Sequence, residues 1–256
     1  ILSECIQSIL DNSYNNYIIT VIDNGSTDGS IDYIQSNYDN VNFIKIPINL
    51  GYALGYNYAF DKLKDSLNDS WFLLLNNDTI LEPNTLHILA KNADKYGDGN
   101  IYGCKILNIK NNKIWYSGGK ISFLTGNVYH EGMNLDDALT DQPEINETDF
   151  VSGCCMLINS NLLYEVNGFT PNYNFYYEDV DLCNKAKNLG SKCYYISSTY
   201  ISHHISYSLG GRFSVLKLFR KIHSFIKYLF LNNKIQYFIY YIVINTILMP
   251  YYVINY

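Results

Sequence analysis

The chain has 256 residues, of which 48% are hydrophobic and 16% are charged, so it has enough apolar material for one large folded domain. This composition excludes an intrinsically disordered chain, and the 5 prolines and 16 glycines exclude a collagen-like one. The net charge of −6 is unevenly distributed, because residues 1–181 hold all 24 acidic side chains and residues 182–256 hold none. An acidic body repels nucleic-acid phosphates, so we expect no nucleic-acid partner.

Hydrophobic periodicity predicts alternating helices and strands in the first part of the chain. In order, we predict a helix at 2–11, a strand at 17–23, a helix at 28–38, a strand at 41–47, a helix at 51–67 and a strand at 71–76. This alternation indicates an α/β protein with a mixed, mainly parallel central sheet and helices on both faces. Sheets of this kind bind ligands beyond the carboxyl ends of their strands.

The pattern after residue 80 is less regular. We predict a helix at 84–96, a strand at 101–107, a hairpin across 113–131, a polar loop at 132–148, a strand at 150–158, a short helix at 161–167, a helix that starts with clustered acids and ends at Gly190, and a strand at 193–197. The six cysteines lack C-x-x-C spacing, which predicts reduced core residues. No signal peptide is visible, so we expect a cytoplasmic location.

The end of the chain has a different character. It carries the basic residues Arg212, Lys217, Arg220, Lys221, Lys227 and Lys234. A charge-free, tyrosine-rich run follows at 235–256. Basic residues beside an apolar aromatic segment are typical of an anionic membrane surface, so we expect 211–256 to form a helical, membrane-associating tail. A membrane-spanning helix and an ordinary core-packing helix are the alternatives.

Two polar segments follow predicted strands in the N-terminal third. In VIDNGSTDGS (21–30), the Asp23 carboxylate can accept a hydrogen bond from a nucleobase, and the turn amides favour phosphate. A simple Asx-rich turn that caps a helix explains the same residues. NLGYALGYN (49–57) has two glycines at a strand-to-helix junction but matches neither a dinucleotide nor a P-loop motif. Close helix packing explains these glycines equally well.

Three further clusters contain candidate catalytic or metal-binding side chains. Asp78 follows a very hydrophobic strand in LLLNNDT and suits Mg²⁺ or Mn²⁺ bound to a diphosphate, although a turn aspartate that caps a helix has the same pattern. The pair His203 and His204 can ligate the same cation or lie in a solvent-exposed loop. Glu178 and Asp179 begin a helix, where the dipole stabilises acids, and crowded carboxylates beside aromatic residues also form general bases.

Taken in order, several motifs together resemble the family 2 glycosyltransferases, with the nearest likeness in the rhamnosyltransferase-like branch that builds cell-surface polysaccharides. These motifs are VIDNGSTDGS, N-x-G-x-A-x-G-x-N, LLLNND, VSGCCMLI, GF followed by FYYEDVDLC, and a His followed by S-x-S. The resemblance spans residues 1–210, which would form the catalytic domain with the nucleotide-diphospho-sugar transferase (A-type glycosyltransferase) fold. The family's first strand is absent before Ile1, so we expect that an upstream segment has been lost.

The resemblance implies an inverting, metal-dependent transfer from a UDP- or dTDP-sugar, with dTDP-rhamnose suggested by the branch, to a hydroxyl of a saccharide or lipid-linked acceptor. Asp179 would be the catalytic base, and Glu178 would assist in acceptor binding. Asp78 would bind Mn²⁺ or Mg²⁺ on the donor diphosphate, and His203 would be a second ligand, with His204 as the fallback. Asn76 stands where the family has the first acid of its D-x-D motif.

The same resemblance implies a nucleotide pocket. Asp23 would hold the base, Asn49, Gly51 and Asn57 would line the pocket, and Asn77 would contact the donor beside the metal. The enzyme would work at the inner face of the cell membrane. The alternative is a catalytically inactive, membrane-associated carbohydrate-binding or scaffold protein.

Overall fold

The structure, a computed structural model, describes residues 1–67, 69–122, 128–137, 143–171, 173, 176–205, 215–232, 235 and 237–238. The helices in these residues are α1 Leu2–Leu10, α2 Ser30–Asn37, α3 Tyr52–Leu63, α4 Thr85–Tyr96, α5 Ser160–Glu165, α6 Glu178–Asn188 and α7 Val215–Leu231. The strands are β1 Ile19–Asn24, β2 Val41–Ile46, β3 Trp71–Leu75, β4 Thr79–Leu81, β5 Ile101–Asn108, β6 Ile114–Tyr116, β7 Gly119–Ile121, β8 Val128–His130, β9 Ile145–Thr148, β10 Cys155–Asn159 and β11 Cys193–His203.

The strands form a large mixed sheet and two smaller sheets. The large sheet has the order β3-β10-β5-β11-β4, with β6 on β5 and β9 on β11. β5 and β11 are parallel, and β10 runs antiparallel to both β3 and β5, so β3, β5 and β11 point in one direction. β1 and β2 form a separate parallel pair, and β7 and β8 form an antiparallel hairpin. The mixed sheet with helices confirms the predicted α/β class.

The core of the large sheet is rich in aromatic side chains. Its largest fully buried members include Tyr102, Tyr116, Phe150, Phe169 and Tyr195. Burying a large apolar side chain contributes about 1.5–3 kcal/mol, so these aromatic residues account for much of the stability of the fold. All six cysteines are buried and free, which confirms the prediction of reduced core residues.

Three local predictions were wrong. Residues 145–148, predicted as part of a polar loop, form β9, because Thr148 pairs with Cys193 and the strand adds to β11. The strand predicted at 150–158 begins only at Cys155, since a turn precedes it in which the Cys155 N–H donates to the Ser152 carbonyl. β4 was missed, because three residues are too few to produce a recognisable alternation. Residues 123–127, within the hairpin predicted at 113–131, lie outside the described residues.

Helix α7 packs against the main core cluster rather than standing apart from it. Phe225, Tyr228 and Leu229 are each at most 2% exposed and belong to the main core cluster. The Asn232 amide donates a hydrogen bond to the Asp181 carboxylate at 3.0 Å. Across the described parts of the chain, no helix combines the length and apolar character needed to cross a bilayer. Most of the run at 235–256 falls outside those parts.

Candidate active site

The sheet brings Asp78 and His203 into direct contact. After β3 ends, the chain turns through Asp78 and returns as β4, which pairs antiparallel with the end of β11 and sets Thr79 opposite His203. Asp78 Oδ1 lies 3.1 Å from His203 Nε2. The His204 backbone N–H donates to the Asp78 carbonyl oxygen at 3.0 Å, which fixes the turn against the strand. The two residues that the resemblance assigned to the metal are therefore neighbours.

The Asp78–His203 pair has a geometry that suits one divalent cation. Two ligands bound at right angles, each at about 2.1 Å from the ion, lie about 3 Å apart, which matches the separation of Asp78 Oδ1 and His203 Nε2. Both side chains are largely shielded but keep some access to solvent, with His203 at 10% and Asp78 at 20% exposure. The described residues contain no group of three or more His, Cys, Asp or Glu side chains that could hold a metal. Phosphate and water oxygens would have to complete the coordination, as is usual for Mg²⁺.

The ring of Trp115 packs beside the imidazole of His203. The Trp115 ring lies 5.2 Å from His203 and 4.5 Å from His130, with edge-on geometry in both pairs. Burial, with a smaller effect from the positive charge of Lys221, lowers the pKa of His130 to about 4, although a hydrogen bond to the Trp115 backbone opposes this shift. His130 is therefore neutral at physiological pH and packs on Trp115, the ring that contacts His203.

Asp179 is held in place by backbone groups. Its Oδ2 accepts a hydrogen bond from the Gly153 N–H at 2.9 Å, and its Oδ1 accepts one from the Val180 N–H at 2.8 Å. Burial raises the pKa of Asp179, and these two hydrogen bonds partly oppose the rise. A carboxylate with fixed orientation and increased basicity is suited to remove a proton from a bound hydroxyl.

Glu178 lies next to Asp179 in a poorly hydrated environment. Burial, followed by the neighbouring charge of Asp179, raises the pKa of Glu178 to about 8. Within the described part of the chain, Glu178 Oε2 is buried without a hydrogen-bond partner. Since the charge of Asp179 helps to raise the pKa of Glu178, Glu178 is the acid of this pair that keeps its proton at neutral pH.

The backbone just before these acids is strained. Tyr176 and Tyr177 both have φ of +72°, a conformation that costs a non-glycine residue roughly 1–3 kcal/mol. The Tyr177 ring is buried and packs against Phe225 and Tyr228 of α7, at centroid distances of 5.7 and 5.5 Å. This packing helps to hold the start of α6 in its unusual conformation.

One short segment, which we call the linker 152–154, connects the Asp78 region to Asp179. The Gly153 N–H bonds the Asp179 carboxylate, and the Cys154 carbonyl accepts a hydrogen bond from the Asn76 N–H at 3.1 Å. The charges of both Asp78 and Asp179 add to the effect of burial in raising the pKa of the Cys154 thiol. Both carboxylates thus lie within electrostatic range of one side chain.

The residues expected at the nucleotide pocket meet at the ends of β1 and β2. The Asp23 carboxylate accepts a hydrogen bond from the Ser26 N–H, and the exposed Asn49 accepts one from the Gly51 N–H. Sequence reasoning missed Asn24, which joins the two loops: its amide donates to the Gly51 carbonyl at 3.0 Å and accepts from the Leu50 N–H at 2.8 Å.

Gly25 permits the close approach of these two loops. A Cβ atom at Gly25 would lie 2.8 Å from the backbone nitrogen of Asn49, and its φ of +75° also favours glycine. A Cβ atom at Gly51, in contrast, would meet nothing within 4 Å, so the space beside Gly51 is open. Asp23, Asn49 and Gly51 therefore lie around an accessible edge.

Tyr52 connects the loop around Gly51 to the linker 152–154, and sequence reasoning missed it as well. Its hydroxyl donates a hydrogen bond to the Gly153 carbonyl at 2.7 Å, and it directly follows Gly51. The neighbouring Tyr56 hydroxyl donates to the Leu75 carbonyl at the end of β3. The only available signal was the aromatic residue at the start of a helix beside a glycine, which is too weak to identify a contact across 101 residues.

Two expected site residues have other surroundings. Asn57 lies within α3, and its amide both donates to and accepts from the Phe169 backbone, at 2.7 and 2.8 Å. Asn57 therefore anchors the segment before α6. Asn77 is exposed in the turn beside Asp78. Asp181, the third acid of the cluster, is 2% exposed and accepts hydrogen bonds from Thr170 and Asn232, which places it on the α7 side of α6.

Solved structures with the same architecture identify the fold as the A-type glycosyltransferase fold. A crystal structure of GalNAc-T7 with UDP, GalNAc and Mn²⁺ matches with a TM-score of 0.66 and 12% identity, over 88% of this chain and 44% of that one. S. aureus TarS 1-349 in complex with UDP-GlcNAc matches with a TM-score of 0.56 and 14% identity, over 82% of this chain and 58% of that one. The chain thus spans less than two thirds of either structure.

Sequence comparison then defines the family. The model of the family described as Glycosyl transferase family 2 matches residues 1–166. The chain is also 24% identical, over 211 residues, to an N-acetylglucosaminyl-diphospho-decaprenol L-rhamnosyltransferase of Mycobacterium tuberculosis. The aligned region covers 75% of this chain and 68% of that protein. The chain belongs to glycosyl transferase family 2, as the motifs indicated.

Proposed function

We propose that this protein transfers a sugar from a UDP- or dTDP-sugar to a hydroxyl of a saccharide acceptor carried on a lipid diphosphate, by a single inverting displacement. The observation that carries the proposal is the joint anchoring of Asp179 and the Asp78 turn by the linker 152–154. The relative from Mycobacterium tuberculosis, by its name, acts on a diphospho-decaprenol saccharide. Its similarity supports a lipid-linked acceptor and a role in cell-surface polysaccharide synthesis.

Asp179 would act as the general base. An acceptor hydroxyl is a poor nucleophile, so a carboxylate must take its proton as it attacks the anomeric carbon. The hydrogen bonds from Gly153 and Val180 leave lone pairs on both Asp179 oxygens for that proton. Glu178, protonated at neutral pH because burial raises its pKa to about 8, would donate a hydrogen bond to an acceptor oxygen.

Asp78 and His203 would bind a divalent cation, Mn²⁺ or Mg²⁺, on the donor diphosphate. Such an ion, when bound, neutralises the negative charge that grows on the leaving diphosphate. Asn77 is exposed beside Asp78 and is free to contact the donor. Asp23, Asn49 and Gly51 would hold the nucleoside at the open edge described above. Attack from the side opposite the diphosphate gives inversion without a covalent enzyme intermediate.

The last part of the chain would keep the enzyme at the inner face of the membrane, where a lipid-linked acceptor is located. Phe219 and Phe230 on α7 are 67% and 71% exposed, and exposed aromatic side chains on a basic helix favour the membrane interface. Lys227, however, donates a hydrogen bond to the Pro171 carbonyl, so it contributes to packing.

The proposal can be tested on the full chain with a set of UDP- and dTDP-sugars, with and without Mn²⁺. A donor that binds the folded state raises its stability, by about 2.7 kcal/mol at 100 times the dissociation constant. We expect Asp78→Ala to remove the Mn²⁺-dependent part of this rise. We expect Asp179→Asn to keep donor binding and to slow transfer by about 10²- to 10⁴-fold.

Asp32→Asn is the matched control, because Asp32 is an exposed acid on α2 outside the site. It should leave both binding and rate unchanged. Full activity in Asp179→Asn would refute the assignment of the base. Binding of saccharides without turnover of any donor would favour a non-catalytic carbohydrate-binding protein instead.

A further inference from the structure

A polar cavity, which we call the β9 cavity, lies beside the pairing of β9 with β11. Its volume is about 210 Å³, and its walls come from Ser117, Gly118 and Lys120, from Glu131, and from 146–148 of β9 with Tyr195 of β11. At about 30 Å³ per molecule in the liquid, this space would hold about seven waters. The residues of the β9 cavity are different from those of the candidate active site.

The floor of the β9 cavity is formed by side chains that the fold holds in place. Ser117, Thr148 and Tyr195 are all buried. Tyr195 lies opposite Asn146 in the antiparallel register of β9 and β11, so their side chains share one face of the sheet. The Thr148 hydroxyl accepts a hydrogen bond from the Gly119 N–H and donates one to the Gly119 carbonyl, both at 2.7 Å. The floor is therefore rigid.

The Tyr195 hydroxyl differs from the other polar groups of the floor. Tyr195 is 1% exposed, and among the described residues its hydroxyl has no hydrogen-bond partner. A buried polar group without a partner costs free energy, so such groups are uncommon in folded proteins unless a ligand or water meets them. Burial raises the pKa of Tyr195, with a smaller effect from neighbours that include Glu131, so the hydroxyl keeps its proton. The β9 cavity thus contains an unused hydrogen-bond donor.

Gly118 keeps the space between the floor and the rim open. A Cβ atom at position 118 would lie 2.9 Å from Glu131 Oε2 and 3.4 Å from Thr148 Oγ1. The φ of Gly118 is +119°, which also favours glycine. A larger residue at this position would push against the carboxylate of Glu131 and reduce the cavity.

The charges around the β9 cavity favour a neutral ligand. Glu131 Oε2 lies 3.9 Å from Lys120 Nζ, and Glu147 Oε2 lies 3.0 Å from Lys192 Nζ. Each acid that lines the cavity thus has a lysine beside it, and the walls carry no large excess of either charge. Hydroxyl, amide, carboxylate and ammonium groups together supply both the donors and the acceptors that bind hydroxyl groups.

We propose that the β9 cavity binds one neutral sugar residue of the acceptor glycan, with Tyr195 and Lys120 as donors to its oxygens and Glu131 as an acceptor from its hydroxyl groups. This inference rests on the proposed function, which supplies a saccharide as the ligand class. The volume is below the roughly 300–1,000 Å³ of pockets for drug-sized ligands, so it suits a single sugar ring.

The chain keeps the β9 cavity within reach of the proposed base. Gly153, whose N–H bonds the Asp179 carboxylate, is only five positions after Thr148 of the cavity floor. Five extended residues span at most about 18 Å, so Thr148 and Gly153 lie no farther apart than this. A short oligosaccharide bridges such a distance. One sugar residue in the cavity would therefore hold the glycan while a hydroxyl of another residue reacts at Asp179.

Titration of the full chain with methyl glycosides of glucose, galactose, mannose, rhamnose and N-acetylglucosamine tests this inference, with binding followed by ligand-observed NMR. Saturating UDP, dTDP and Mn²⁺ fill the donor site. We expect at least one glycoside to bind more tightly than glycerol. Methyl glucuronide should bind more weakly than methyl glucoside, because its carboxylate meets Glu131 and Glu147. Tyr195→Phe should weaken glycoside binding by about 2- to 10-fold, the effect of one hydrogen bond.

Tyr102→Phe is the matched control for Tyr195→Phe. Tyr102 is also fully buried, but its hydroxyl donates to the Gly97 carbonyl at 2.6 Å. Tyr102→Phe should lower the Tm by about 1–5 °C and leave glycoside binding unchanged. Tyr195→Phe should leave the Tm unchanged or raise it, because the hydroxyl that is lost has no partner in the free protein. Glu131→Gln keeps the size of the side chain and should also weaken glycoside binding.

Several results would overturn the inference. If no glycoside binds, or if glycerol binds as tightly as the glycosides, the cavity holds solvent only. Unchanged glycoside binding in Tyr195→Phe would place the sugar elsewhere, and a fall in Tm equal to that of Tyr102→Phe would show that the Tyr195 hydroxyl is already partnered. Tighter binding of methyl glucuronide would contradict a neutral ligand. Donor hydrolysis without acceptor reports on the transferase proposal separately and should be unchanged in Tyr195→Phe.

Discussion

Gly153→Ala is the substitution that tests the geometry of the linker 152–154 most directly. A Cβ atom at position 153 would lie 2.6 Å from the Tyr52 hydroxyl oxygen and 3.4 Å from the Asp179 Cβ. The first distance is too short, and Tyr52 cannot retreat freely because its hydroxyl bonds the Gly153 carbonyl at 2.7 Å. The methyl group must therefore displace Tyr52, the linker or both.

The expected energies follow from these contacts. Overpacking of this kind costs about 1–3 kcal/mol in the free energy of unfolding. Tyr52→Phe alone loses one hydrogen bond, at about 0.5–1.5 kcal/mol. The double variant Gly153→Ala, Tyr52→Phe lacks the hydroxyl oxygen. The nearest remaining atom at position 52 is then the ring carbon, 3.3 Å from the new Cβ atom. We therefore expect the double variant to be at least about 1 kcal/mol more stable than the sum of the single effects predicts.

Urea unfolding measures this coupling when it is applied to the wild type, Gly153→Ala, Tyr52→Phe and the double variant. Equal m-values check that unfolding is two-state. Donor turnover should fall by about 10²-fold in Gly153→Ala, since a shift of about 1 Å in a catalytic group has this effect, and should partly recover in the double variant. Gly99→Ala is the control, because its Cβ would meet nothing within 4 Å. Additive energies, within about 0.5 kcal/mol, would refute the proposed contact.

Two further predictions concern pH and the asparagines. The folded-state pKa of Glu178 is raised from 4.5 to about 8, so its contribution to the free energy of unfolding is present at low pH and is lost as pH rises from about 4.5 to 8. Glu178→Gln should make the free energy of unfolding less dependent on pH in this range. An unchanged pH dependence of the urea midpoint in Glu178→Gln would contradict the prediction. Asn57→Ala loses two hydrogen bonds to the Phe169 backbone, so it should lower the free energy of unfolding by about 1–3 kcal/mol and leave nucleotide affinity nearly unchanged. Asn24→Ala loses the hydrogen bonds that join the two loops, so it should weaken nucleotide binding in a calorimetric titration.

The position of Asp78 was predictable from the sequence, but its partner was not. Five apolar or aromatic residues in a row require a buried strand, and the first acid after them must emerge at the end of that strand. The contact with His203 depends on β4, whose three residues carry no clear pattern, and on a strand pairing across more than 120 positions. The resemblance to the family supplied what periodicity could not.

The connections within the site could not be predicted for a similar reason. Asn24 and Tyr52 act through hydrogen bonds to backbone groups, and any polar side chain at a loop or helix start has the same local pattern. Asn57 shows the opposite case, because its place in a motif suggested a pocket and its hydrogen bonds hold Phe169. Local sequence indicates which residues are polar at a strand end, and only the fold determines which backbone groups they reach.

The position of Asp179, the proposed base, depends on a helix that begins more than 30 residues after it. The two tyrosines before Glu178 adopt positive φ values, which cost free energy. Contacts within the local segment do not offset this cost. Phe225 and Tyr228 bury the ring of Tyr177, and Asn232 bonds Asp181 one turn into α6. Removal of α7 would expose Tyr177 and leave the strain without compensation, so the start of α6 would relax and Asp179 would lose its alignment with Gly153. Helix α7 therefore supports the conformation of the segment that carries Glu178 and Asp179.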